Sequence, residues 1–155
     1  MSDDAEINAT ATAERRARLS TLACAPAGRV ATLWAAFGDA PDHEVLRAPE
    51  IGTVMVRGRA GGTGAPFNLG EVTVTRCAVR LAGGSVGHGY VQGRDKTHAR
   101  TVALIDALAE AGEVARIEAL ILAPLRAEAE AAHATRAGKA ATTKVDFFTM
   151  VRGEG

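Results

Sequence analysis

The sequence predicts an α+β domain: an antiparallel sheet of about four strands, with helices at both ends of the chain packed against it. Three observations predict it. Alanine, the commonest of the 155 residues with 33 copies, concentrates toward both ends, where it favours helix. Glycine does the reverse, 11 of its 17 copies falling between Gly52 and Gly93, as turns between strands require. Among those glycines the residues alternate apolar and polar with the two-residue period of half-buried strands. A chain of this length builds one domain with a real core.

In chain order, residues 1–13 are polar and acidic and read as a flexible tail. A single domain follows over 14–143. Its first helix runs from about Glu14 to Ala25 with Leu19 and Leu22 inward. Pro26 opens a second helix carrying Val30, Leu33, Trp34 and Phe37, which reads as core, and Gly38 closes it. His43–Arg47 and Thr53–Arg59 are candidate strands, the second with Val54 and Val56 on one face and Met55, Arg57 and Arg59 on the other. Glu71–Leu81 alternates in two registers, which implies a bulge near Arg76. Gly83-Gly84 reads as a tight hairpin into a return strand, Val86–Gln92. Asp95 caps a helix over Lys96–Ala111 that Gly112 ends. Glu113–Leu125 fits either a buried strand or a short helix. Arg126–Ala141, rich in alanine and alternating charge, is a solvated helix. The segment 144–155 is unusually apolar for a chain end, and Phe147, Phe148, Met150 and Val151 mark it as a candidate partner interface.

Eighteen basic residues balance eighteen acidic ones, which argues against a nucleic-acid partner. No run of apolar residues is long enough to span a membrane, and the acidic start is unlike a signal peptide. Cys24 and Cys77 in such a chain suggest the reducing cytoplasm. Gly83-Gly84-Ser85-Val86-Gly87 formally matches the nucleophile elbow G-x-S-x-G, but the strand-like residues after it deny that motif its helix. His43, His88, His98 and His133 share no metal-ligand spacing, so no metal site is expected. No catalytic constellation can be assembled.

Two anion-binding candidates remain. In the first, Arg57 and Arg59 lead into Gly61-Gly62-Thr63-Gly64, a loop whose amides could cradle a phosphate, although it lacks the Lys-Ser/Thr of a P-loop. In the second, Arg94 and Lys96 flank a helix start, where free amides and the dipole favour an anion. The ordinary reading of the first is turn-making glycine, and of the second a capping Asp95 with solvated basic neighbours.

Three blocks carry a further signal: Met55–Thr75 with its glycine run, Tyr90-Val91-Gln92-Gly93-Arg94-Asp95-Lys96 through Ala103–Leu108, and Lys144–Gly153. In order and spacing they resemble PhnG, the G subunit of the bacterial carbon–phosphorus lyase core complex, over about residues 15–153. The resemblance implies a cytoplasmic accessory subunit of phosphonate catabolism, without catalytic residues or a cofactor of its own. It implies H, I and J partners and the ATP-binding-cassette-like K and L proteins. With H, I and L, such a subunit helps to form ribose 1-methylphosphonate 5-triphosphate from ATP and methylphosphonate. An iron–sulfur cluster and S-adenosylmethionine serve the J subunit in the later bond cleavage.

Overall fold

A computed structural model describes residues 2–38 and 40–142. The elements are α1 (Ser2–Cys24), α2 (Ala27–Phe37), β1 (His43–Arg59), β2 (Pro66–Leu81), β3 (Val86–Gln92), α3 (Lys96–Leu108), α4 (Val114–Ile117) and α5 (Ala123–Thr142). The three strands form one antiparallel sheet in the order β1-β2-β3. Helices lie on one face of it, α3 directly against β2 and β3, with α1 and α2 beside α3.

The core is where the sequence pattern put it. Leu22 of α1 and Val30 and Phe37 of α2 meet Cys77, Val79 and Leu81 of β2, Val91 of β3, and Val102 and Ile105 of α3. Ile117, Ile121, Leu122 and Leu125 complete it. Trp34 stacks on Phe37 with ring centroids 5.6 Å apart, and the Arg116 guanidinium lies 4.0 Å above the Phe37 ring.

Several expectations shift. Residues 2–13, read as a flexible tail, are helical and continuous with α1. The two strands expected over 43–47 and 53–59 are one strand, so the sheet has three strands rather than about four. The bulge expected near Arg76 lies opposite it. β2 pairs with β3 without a slip from Val74 to Arg80, and the extra residues sit on β1, one between Val45 and Arg47 and one between Arg47 and Glu50. Pro49 falls in the second of these and has no amide to give a ladder. The second hairpin turns through Ala82–Ser85, with Leu81 N–H donating to Ser85 O at 2.9 Å. Of its glycines only Gly84 takes a positive φ, 92°. The ambiguous stretch after α3 is helical: wide turns over Ala109–Glu113 and Glu118–Leu122 flank α4, with Gly112 at φ 105° breaking the run. The apolar segment 144–155 lies outside the described residues.

Among the described glycines, the closest approaches join β3 to α3. A Cβ added at Gly87 would lie 2.0 Å from Ala103 O, and one added at Gly89 would lie 1.9 Å from Ala99 O. Two glycines on the strand and Ala99, Ala103 and Ala107 on the helix thus bring backbone against backbone. This explains Gly87 without any nucleophile elbow, since Ser85 belongs to a turn that leads into a strand.

Candidate functional site

The two anion-site candidates do not converge. Arg57 pairs with Asn68, and Arg59 with Pro66. Both arginines are exposed near the tip of a long β1–β2 ribbon, on the face that carries Met55. The tip turns through Ala60–Gly62, with Gly61 at φ 59° and Gly62 at φ 76°, values that suit glycine. Ala60 O accepts from Thr63 N–H and, at 3.1 Å, from Gly64 N–H. The loop's own turn therefore uses two of the amides that a phosphate would need.

Arg94 and Lys96 sit at the other end of that ribbon, exposed at the start of α3. Gly93 N–H donates to Thr73 O at 2.8 Å, and the Thr75 hydroxyl donates to Gly93 O at 2.7 Å, fixing the junction. Asp95 Oδ1 accepts from His98 N–H at 2.8 Å, so the helix start already holds a carboxylate of its own. Asn68 and Pro66 lie five and seven residues along β2 from Thr73, which puts Arg57 and Arg59 about 15–25 Å along the ribbon from Gly93.

The most organised polar cluster was not anticipated. Asp106, fully buried in α3, takes Arg15 Nη2 at 2.7 Å, Arg18 Nη2 at 3.1 Å and the His88 amide at 3.0 Å. Arg18 Nη2 also donates to Glu110 at 2.6 Å. The hydrogen bond to Asp106 raises the Arg15 guanidinium above its ordinary value, against the opposing effect of burial. A signal did exist, because Asp106 falls on the inward stripe with Val102 and Ala109, where a carboxylate needs a cation. Arg15 and Arg18, three apart on one helix, were the available donors.

Other candidates have structural work. His98 Nε2 donates to Leu22 O at 3.0 Å inside the core. His43 gives its Nδ1 proton to Pro41 O at 2.8 Å, leaving Nε2 to accept from Arg100 at 3.0 Å. Burial pushes the Cys77 thiol up, partly opposed by Arg100. Among the described residues no three His, Cys, Asp or Glu side chains converge as a metal site. None of the helices among them is long and apolar enough to cross a membrane.

A family model described as phosphonate metabolism protein PhnG matches residues 13–153. The chain belongs to the PhnG family. It is 47% identical over 154 residues to the protein of Rhizobium meliloti (strain 1021) named alpha-D-ribose 1-methylphosphonate 5-triphosphate synthase subunit PhnG, covering 99% of this chain and 95% of the relative. The family match takes in both cationic candidates, the Asp106 cluster and most of the 144–155 segment.

Proposed function

We propose that this chain is an accessory subunit of a cytoplasmic ribose 1-methylphosphonate 5-triphosphate synthase in the carbon–phosphorus lyase core complex. The observation that carries the reading is 47% identity over nearly the whole of both chains to a relative named as a subunit of that synthase. Its partners are H, I and J subunits with the K and L proteins. With H, I and L it serves the displacement of adenine from ATP by methylphosphonate. An iron–sulfur cluster and S-adenosylmethionine belong to the later step in J. The arrangement of side chains supports an accessory role. Asp106 pairs with Arg15 and Arg18 in holding α1 to α3, and the cationic candidates stand apart on the surface. Arg94 and Lys96, with Arg57 and Arg59 as second choice, are proposed to meet phosphate groups, and Phe147, Phe148, Met150 and Val151 to meet a partner.

Reconstitution tests this. Adenine release from ATP and methylphosphonate is followed with H, I and L proteins, with and without this chain, and with this chain alone. Release is expected only in the complete mixture. Equal release without the chain, or release by the chain alone, would overturn the reading.

A further inference from the structure

We propose that the β1–β2 ribbon beyond Thr73 is a docking arm, seated in a groove of another synthase subunit, with Arg57 and Arg59 meeting carboxylates at the groove's far end. This rests on the subunit reading and names the surface that serves it.

The ribbon extends past its support. β3 pairs with β2 only from Val74 to Arg80, whereas β1 pairs with β2 out to Arg59↔Pro66. No core residue lies between Ile51 and Thr73. A two-stranded ribbon without further support is marginal in water, yet this one carries large apolar side chains into solvent on both faces. On one face of the arm Met55 is 52% exposed; on the other Phe67 is 45% exposed and Leu69 65%. Ile51, 46% exposed, continues the Met55 face back onto the three-stranded sheet, where its partner Thr75 pairs with Val91. Strand register pairs Phe67 with Gly58, on the side away from Arg57 and Asn68; Leu69, the extra residue at the slip between Val56 and Arg57, joins that side, the Gly58 Cβ position lying 3.4 Å from Leu69 Cδ1.

Two features of the arm say what covers it. Because each face of the arm presents an exposed apolar side chain, Met55 on one and Phe67 and Leu69 on the other, one flat surface would leave one face wet, so the occupant must enclose the arm from both sides. Between Thr53 and Thr73 the charged residues are Arg57, Arg59 and Glu71; Glu71 pairs with Met55 nearer the sheet, and beyond it to the tip the two arginines are the only charges, in a chain whose overall charge is zero. A uniformly cationic end on an apolar stem fits a groove that is apolar along its walls and acidic where it closes.

The test co-expresses the chain with the other subunits of the synthase and measures assembly by co-purification and titration. One variant replaces residues 55–71 with Asn-Gly, joining the paired Val54 and Val72 through a two-residue turn. A second keeps the arm and carries Met55→Glu, Phe67→Glu and Leu69→Glu. A third carries Arg57→Glu and Arg59→Glu. The unaltered chain is expected to assemble. The shortened and triple variants should keep the far-ultraviolet spectrum of the fold and lose partner affinity by about hundredfold or more. The charge-reversed variant should lose about tenfold or more, with a weaker dependence on salt. If the unaltered and all three altered chains assemble alike, the arm proposal fails and the subunit reading stands. If the unaltered chain fails to assemble, the subunit reading falls and takes the arm with it. A dimer of this chain alone that the shortened variant loses would assign the arm to a second copy, which also overturns the proposal.

Discussion

Asp106 is the residue on which the most charge depends. Its carboxylate is fully buried and neutralises Arg15 and the nearly buried Arg18 while holding the His88 amide. Removing one partner of a buried ion pair leaves the other uncompensated, at a cost of about 3–5 kcal/mol. Asp106→Ala should therefore lower the unfolding free energy by about that amount, measured by urea denaturation. Glu110 reaches the same arginines from a side chain that is 35% exposed, and exposed ion pairs contribute about 0–1 kcal/mol. Glu110→Ala should thus lie within about 1 kcal/mol of the unaltered chain. Equal losses from the two variants would show that Asp106 is not the anchor.

Between elements, the β3–α3 contact is set by the absence of side chains. Adding a methyl at Gly87 or Gly89 places it about 2 Å from helix carbonyl oxygens that cannot rotate away. Gly87→Ala or Gly89→Ala should cost more than about 3 kcal/mol, beyond the usual range for overpacking, because the helix must leave the sheet. Gly83, whose Cβ position is open, should tolerate alanine within about 0.5 kcal/mol, as surface positions do. Thermal denaturation of the three variants would check the contrast.

At this level much was legible in the sequence. The 3-4 spacing of Val30, Leu33, Trp34 and Phe37 gave α2, the Asp95 cap gave the start of α3, and the parity of Cys77, Val79 and Leu81 gave the buried face of β2. Other features were hidden for identifiable reasons. Ala48-Pro49 and Gly52 interrupt the alternation of β1, so one strand read as two. Residues 2–13 hold few apolar side chains, so no periodicity announced their helix. The shared face of Arg57 and Arg59 was visible from parity alone. That this face lies out on a ribbon, away from Arg94 and Lys96, depends on where β3 stops pairing, and strand length is a tertiary outcome.

At the scale of the whole molecule, the two cationic candidates mark opposite ends of the same ribbon and should behave differently in the assembled complex. The docking-arm proposal assigns Arg57 and Arg59 to assembly, in place of their second-choice role at phosphate. Arg94 and Lys96, next to the α3 start, are the proposed phosphate contacts, and a charge-assisted contact is worth about 1.5–3 kcal/mol, roughly tenfold or more in affinity. Arg94→Gln with Lys96→Gln should leave co-purification intact and weaken use of ATP or methylphosphonate by about tenfold or more. Wild-type kinetics from an intact complex carrying both changes would remove these residues from the site.

The bare strand at Gly87 and Gly89 also bears on how this sequence can drift. Alanine fills 33 of its 155 positions, and one base change at the second position of any glycine codon produces alanine. The commonest residue of the chain is therefore one nucleotide away at the two places where a single methyl group separates helix from sheet. Random single-base libraries selected for growth on a phosphonate should show this as a pair of gaps, with alanine depleted at 87 and 89 while it accumulates freely at 83.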